Sequence, residues 1–195
     1  EGLYEAIRAE RARLGIVSGE RIRDELVRML GFANADRCLA DLMHLGLFDE
    51  RVPAFVAMVG VEQGAFHHLD VWDHSLLVVK NAGPGDLVLT LAALLHDVGK
   101  PSTRLVDEAG ATRFFGHEGV GAELAESILR RLRFPSETIQ RVVRLVKHHM
   151  RLGSAPTFSK SAARRVLRDL EDDVELLLDL VEVDASALRP GVRQL

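Results

Sequence analysis

Apolar residues recur three or four positions apart through most of this chain, which is the spacing of amphipathic helices, and convincing strands are lacking. In the first third, Ser18 is a suitable N-cap, and Ile22, Leu26 and Met29 follow it on one helical face. The pattern therefore predicts an all-α fold that begins with short helices. Their predicted ranges are 4–13, 21–30, 36–45 and 53–59. The first, third and fourth helices are followed within two residues by glycines, at positions 15, 46 and 60.

A second group of helices follows a junction rich in histidine and glycine at residues 62–70. The next segment, residues 71–80, predicts a buried helix that carries His74. Asp86 then caps a helix that ends at His96-Asp97. Further helices are predicted over 117–132, 136–149 (capped by Ser136 or a neighbour), 160–170 and 173–188 (stopped by Pro190), and residues 101–115 predict a loop with a small hairpin around 108–111.

The pair His96-Asp97 directly follows the apolar run Leu91-Ala92-Ala93-Leu94-Leu95. This approach predicts that an imidazole and a carboxylate are both buried at the end of the helix. Such burial costs free energy unless a cation or another partner satisfies the polar groups. The pair therefore indicates a metal site.

Histidine is concentrated in the middle of the chain, since seven of the eight histidines lie between residues 67 and 149. Side chains on or at the ends of predicted helices can project into one bundle core, where metal sites are commonly built. Imidazole and carboxylate ligands suit Mn, Fe, Co, Ni, Zn or Mg. We predict a divalent metal centre of one or two ions. The candidate ligands are His74, His96, Asp97, His117, His148, His149 and Asp184.

Several of these candidates have a purely structural interpretation when each is taken alone. His74 can be a core histidine that its neighbours satisfy, and His117 can simply begin a helix. Asp184 can be a carboxylate on a polar helix face. The ordered set favours a metal site more strongly than any single member does.

Charge and cysteine content exclude several classes of protein. The 195 residues carry a formal net charge of -4 and one cysteine, Cys38, which argues against a generally basic nucleic-acid binder and an internal disulfide framework. No apolar run approaches the length of a membrane span, and no signal peptide is visible, so we predict a cytoplasmic protein without a membrane partner. Among residues 126–151, seven side chains are basic and two are acidic, which indicates either a solvated helix face or attraction of a phosphate-bearing substrate.

The order His74, His96-Asp97, Asp184 resembles the His … His-Asp … Asp signature of the HD-domain metal-dependent phosphohydrolase superfamily. Residues 94–101 and 115–118 are similar to the HD domain attached to bacterial tRNA nucleotidyltransferases and poly(A) polymerases. Residues 16–26 and 45–48 resemble the helical neck, or RNA-binding region, of the same enzymes. The resemblance implies a neck-like region at residues 1–62 followed by an HD helical bundle at residues 63–195.

The same resemblance assigns roles to individual residues. His74, His96, Asp97 and Asp184 would hold one metal ion. His117 and His149, with His148 as a further candidate, would add a second ion, bridged by the catalytic carboxylate of Asp97. Apart from the resemblance, Lys100 follows the ligand pair within one turn, so we expect it to neutralise developing phosphate charge, although it can also simply complement a helix dipole. Arg104 and Arg151 are lesser candidates for substrate binding, together with Lys100.

Three functions remain open from the sequence. The leading one is hydrolysis of nucleotide or RNA 3'-end phosphoesters, as a 2',3'-cyclic phosphodiesterase or phosphatase, with RNA binding by the N-terminal helices. The second is an RNA-binding accessory, or a fragment of a tRNA nucleotidyltransferase, with a non-catalytic HD site. The third is hydrolysis of deoxynucleoside triphosphates or cyclic dinucleotides, although the Gly-Tyr-Pro motif of cyclic-dinucleotide hydrolases is missing. Nucleotide addition by this segment is not expected, because Gly153-Ser154 is misplaced for the nucleotidyltransferase head and no Asp-x-Asp motif precedes it.

Overall fold

The computed structural model describes residues 2–64, 68–153 and 159–188. It confirms the all-α class, and within these ranges the sheet structure is a single two-stranded hairpin. The helices are α1 (Gly2–Glu10), a 3-10 turn (Arg11–Ile16), α2 (Gly19–Leu30), α3 (Ala35–His44), α4 (Pro53–Val56), α5 (Val71–Ala82), α6 (Leu87–Leu95), α7 (Lys100–Thr103), α8 (His117–Arg131), α9 (Ser136–His148), α10 (Met150–Gly153), α11 (Lys160–Leu170), a second 3-10 turn (Glu171–Asp173) and α12 (Val174–Ser186); strands β1 (Leu105–Val106) and β2 (Thr112–Arg113) form the hairpin.

Two of the predicted side-chain caps are present, at the starts of α2 and α6. The Ser18 hydroxyl accepts a hydrogen bond from the backbone N–H of Arg21, at the start of α2. The Asp86 carboxylate accepts one from the backbone N–H of Leu89, which starts α6. Such caps satisfy amide groups that the first turn of a helix leaves without partners. They fix where α2 and α6 begin.

An aromatic cluster joins the N-terminal helices to the rest of the bundle. Phe48 and Phe55 meet edge to face with ring centroids 5.2 Å apart, and Trp72 of α5 packs 5.8 Å and 5.6 Å from them. All three side chains are buried. Because such pairs add to the stabilisation from burial alone, this cluster fastens the first helices to the start of α5.

Helix α6 lies at the centre of the bundle and delivers the His-Asp pair. Leu91, Leu94 and Leu95 are fully buried, which explains why this helix is apolar on every side. Helices α5, α9 and α12 pack against α6, and α8 packs along α9. The residues that follow Leu95 are therefore placed inside the bundle.

Gly99 allows the chain after His96-Asp97 to touch the start of α8. A Cβ atom at this position would lie 2.2 Å from the carbonyl oxygen of His117 and 2.6 Å from the backbone nitrogen of Gly121. No side chain fits at those distances. Position 99 must therefore be glycine for His117 to lie close to the His-Asp pair.

The structure corrects some predicted boundaries. Lys100–Thr103 forms the short helix α7, although this stretch was expected to be loop from residue 101, because Pro101 suits the first turn of a helix. Ser136 is the first residue of α9 and gives no side-chain cap. The final helix begins at Val174 and ends at Ser186. Pro190 and Ser154 lie outside the described residues.

No helix among the described residues combines the length and the apolar character needed to cross a membrane.

Candidate metal centre

Six side chains from five parts of the bundle converge in two groups of three. In each group the potential ligand atoms lie within 4.8 Å of one another. The first group is formed by α5, by α12 and by the residue that follows α6. The second group is formed by the residues just after α6 and α9 and by the first residue of α8. The first group is His74, His96 and Asp184, and the second is Asp97, His117 and His149.

The carboxylate of Asp97 lies between the two groups and turns one oxygen toward each. Its Oδ2 is 3.1 Å from Nε2 of His96 and 3.8 Å from Nε2 of His74. Its Oδ1 is 3.5 Å from Nε2 of His117 and 3.9 Å from Nε2 of His149. A carboxylate in this position can ligate two ions at once.

Three of the histidines share one arrangement that leaves Nε2 as the free ligand atom. Their Nδ1 atoms lie 2.7–2.8 Å from the carbonyl oxygen of the residue three positions earlier. Because a carbonyl oxygen only accepts, each Nδ1 carries the proton and donates it, which orients the ring as in metal-binding histidines. The pairs are His96 with Ala93, His117 with Phe114, and His149 with Val146.

The Nε2 atoms of these three rings lack hydrogen-bond donors and are placed to bind a cation. Nε2 of His96 is buried and forms no hydrogen bond, although Asp97 Oδ2 lies 3.1 Å away. Nε2 of His117 and Nε2 of His149 are 3.3 Å apart. With both Nδ1 atoms protonated, the neutral rings turn two lone pairs toward each other. A divalent ion would satisfy all three nitrogens, so the residues present fit such an ion.

Asp184 and His74 complete the first group, although they lie 110 positions apart in the sequence. Nε2 of His74 lies 2.9 Å from Oδ1 of Asp184, and Nε2 of His96 lies 3.7 Å from the same oxygen. Burial would raise the pKa of Asp184, but its hydrogen bond with His74 and the charge of His96 together lower it to about 2. Asp184 is therefore a carboxylate at all physiological pH values.

Burial and neighbouring charges shift the pKa values of the other candidate ligands in different directions. Burial lowers the pKa of His149 to about 4, and it also lowers the pKa of His117. Burial also acts on His96, but the attraction of Asp97 outweighs it and raises the pKa of His96. Burial opposes ionisation of Asp97, yet His96 and Lys100 hold its pKa well below the usual range. The second group is thus ready to bind metal without losing a proton.

Lys100 reaches the centre from the first turn of α7. Its Nζ donates to Oδ2 of Asp97 at 2.6 Å and to Oε1 of Gln63 at 2.6 Å, and it lies 5.6 Å from the ring centroid of Phe114. The lysine side chain is buried. Gln63 was not among the predicted residues, because it lies in an irregular junction without periodicity and has no ligand-type side chain.

The remaining predicted residues lie apart from the two groups. His148 is buried but belongs to neither group, and it lines a cavity of about 380 Å³ together with Lys147 and Arg151. Arg151 pairs with Asp169 at 2.7 Å. Arg104 ends α7 and is exposed. Their predicted roles stay predictions.

The apolar periodicity of α9 distinguishes His149 from its neighbour. Ile139, Val142 and Val146 are buried on one side of this helix, and three further residues lead to His149 on the same side. His148 is rotated away from that side by about 100°. The sequence therefore held a signal that favoured His149 as the ligand, although the His-His pair alone did not reveal it.

Comparison with known proteins identifies the class that this site belongs to. Residues 65–185 match the model of the HD domain, and residues 1–58 match the family described as the probable RNA and SrmB-binding site of polymerase A. The chain belongs to the HD-domain family, and the segment before this domain is similar to the polymerase A family just named.

The proteins similar to this chain include tRNA nucleotidyltransferases, and they are longer than the chain. The chain is 40% identical over 181 residues to the CC-adding tRNA nucleotidyltransferase of Thermus thermophilus, covering 90% of this chain and 41% of the relative. It is 39% identical over 182 residues to the A-adding tRNA nucleotidyltransferase of Deinococcus radiodurans, covering 91% and 41%. The multifunctional CCA protein of Ralstonia nicotianae is 31% identical over 163 residues, covering 82% and 37%. The chain thus spans about two fifths of these relatives.

Proposed function

We propose that this chain is a metal-dependent phosphohydrolase that acts on phosphoesters at nucleotide or RNA ends, foremost on 2',3'-cyclic phosphates. One observation carries the proposal: Asp97 turns one carboxylate oxygen to each of two ligand groups. Two ions held this way suit the displacement reactions at phosphorus that two-metal sites catalyse.

The side chains would divide the work of hydrolysis. A divalent ion, when bound, supplies a coordinated water of lowered pKa and polarises a phosphoryl oxygen. Asp97 and the histidines would fix the positions of the ions. The ammonium of Lys100, already inside the site, would stabilise negative charge that develops on the phosphoryl oxygens. Its burial in the bundle strengthens that attraction.

RNA ends are the proposed substrate class because of the N-terminal region. Residues 1–58 match an RNA-binding family, and the relatives are named as tRNA nucleotidyltransferases. Helices α1 to α3 would hold RNA while residues 63–195 carry out hydrolysis. A cyclic phosphate at an RNA 3' end would connect both regions in one substrate.

Turnover assays test this function. The chain would be loaded separately with Mn²⁺, Ni²⁺, Co²⁺ and Mg²⁺, and occupancy confirmed before addition of 2',3'-cAMP or RNA with a cyclic-phosphate end. We expect hydrolysis that Asp97→Asn abolishes, while Asp172→Asn, at an exposed carboxylate on the 3-10 turn, keeps it. Absence of turnover with every loaded metal would refute the proposal.

A second function is favoured by the length of the relatives. Because the chain spans about two fifths of them, it can serve as the RNA-binding part of a tRNA nucleotidyltransferase whose HD site is not catalytic. Binding of tRNA with equal affinity by wild type and Asp97→Ala, together with no turnover of either ester, would favour this alternative.

A further inference from the structure

Gln63 is buried in the connection between the N-terminal helices and α5, and all of its amide groups are used. Its Oε1 accepts from Nζ of Lys100 at 2.6 Å. Its Nε2 donates to the carbonyl oxygens of Leu69 and Asp70, at 3.3 Å and 3.1 Å. The orientation of the amide is fixed chemically, because an ammonium only donates and a carbonyl oxygen only accepts.

The residues just before Gln63 are joined by hydrogen bonds to the start of α5. The N–H of Val71 donates to the carbonyl of Val61, and Glu62 forms a bridge with Asp70. The Asp70 carboxylate accepts from the N–H of Gly60 at 2.6 Å and from that of Asp73 at 2.7 Å. Gln63 therefore projects from a braced segment, and its oxygen has a fixed position.

Lys100 needs this partner because it is a buried ammonium. Asp97 satisfies one N–H, and the face of the Phe114 ring lies 5.6 Å away. Without Gln63, a second N–H of this buried ammonium would lose its neutral acceptor, which is costly for a charged group. The ammonium would then move toward Asp97 or out of the site. Gln63 thus sets where the positive charge lies.

We propose that Gln63 is a positioning residue that holds the Lys100 ammonium beside Asp97. The expected effect of Gln63 on turnover rests on the proposed function. The contact between Gln63 and Lys100 does not depend on that function. Gln63 falls between the two family matches, at residues 1–58 and 65–185, so neither match covers it. It ties the end of the N-terminal region directly to the metal centre.

Three variants separate the parts of this contact. Gln63→Met keeps the length of the side chain but removes its hydrogen bonds. Gln63→Glu keeps an acceptor for Lys100 and loses the donor to Leu69 and Asp70. Gln140→Met makes the same replacement at an exposed glutamine on α9 and serves as the matched control.

The first readout is the ¹H–¹⁵N signal of the Lys100 ammonium, assigned by its loss in Lys100→Met. We expect fast hydrogen exchange to broaden this signal in Gln63→Met, and a protected signal in Gln63→Glu and Gln140→Met. An unchanged exchange rate in Gln63→Met, with the folded state verified by circular dichroism, would overturn the inference. This readout requires no substrate, so it is independent of the proposed function.

The second readout is turnover of 2',3'-cAMP by the metal-loaded variants. Gln63→Met is expected to lower kcat by roughly tenfold, the equivalent of one charged hydrogen bond, with KM within about twofold. Gln63→Glu should recover much of the loss. In the Lys100→Met background, Gln63→Met should cost nothing further, and an additive loss there would show that Gln63 does not act through Lys100. Should wild type itself be inactive while the ammonium signal still depends on Gln63, only the proposed function fails.

Discussion

His117 and His149 approach each other through their free nitrogen atoms, with the two Nε2 atoms 3.3 Å apart. Each ring has its Nδ1 proton tied to a backbone carbonyl, so neither Nε2 carries a proton while the rings are neutral. Burial lowers the pKa of both rings, which keeps them neutral. Two lone pairs are thus held together at a position that suits a cation, beside Oδ1 of Asp97.

Loss of one histidine should remove one of two metal ions. His117→Ala deletes a ligand of the second group and leaves His74, His96 and Asp184 in place. We expect the Mn²⁺ content of the dialysed protein, measured by elemental analysis, to fall by about half. His148→Ala is the matched control, since this neighbour of His149 lies outside both groups, and it should keep the full content. Equal losses in both variants would contradict the assignment.

Metal binding to the first group should release a proton. The attraction of Asp97 raises the pKa of His96 against the effect of burial, which favours a second proton on this ring, at Nε2, in the metal-free protein. This proton must leave before Nε2 can bind a metal ion. His117 and His149, with lowered pKa values, contribute little release. Titration calorimetry in buffers of different ionisation enthalpy should show the release in wild type and its loss in His96→Ala. Buffer-independent heats in wild type would contradict it.

The metal-free protein should lose stability in mild acid because of His149. Its pKa is about 4 in the folded state and near 6.5 in the unfolded state, so the unfolded chain binds the extra proton between these values. The free energy of unfolding should therefore fall as the pH decreases from 6.5 to 4, by about 3 kcal/mol from this group. Urea denaturation with a chelator should show a shallower decrease for His149→Asn. An equal decrease in both proteins would count against a buried neutral ring.

Enlarging Gly99 should disturb the centre through packing. The added methyl group in Gly99→Ala would collide with the carbonyl of His117, so we expect a loss of about 1–3 kcal/mol in stability and weaker metal binding. Gly119→Ala, also near the start of α8, meets nothing within 4 Å and should be neutral or slightly stabilising. Thermal denaturation of both variants, with and without Mn²⁺, measures the difference. Similar midpoints would argue against the close approach.

Much of the fold follows from local patterns in the sequence. The caps Ser18 and Asp86 and the apolar run before His96 predict α2 and α6 well, because these signals act within one or two turns. Boundaries were less predictable at α7, where Pro101 permits a helical turn that only the surrounding packing selects.

The candidate site was predictable in part. The order of the ligands along the chain and its resemblance to a family indicated which residues form the site. That Asp97 turns one oxygen to each of two groups depends on how separate helices pack, which local sequence patterns do not specify. Gln63 was beyond prediction, since its contact with Lys100 joins residues 37 positions apart through an irregular segment.

The location of bound metal tests the central claim most directly. A crystal of the protein loaded with Mn²⁺ would be measured for anomalous scattering at the manganese edge. The account predicts two peaks, one among His74, His96 and Asp184 and the other between His117 and His149, with the carboxylate of Asp97 contacting both. No peak, or peaks away from Asp97 in a protein with verified metal, would contradict it.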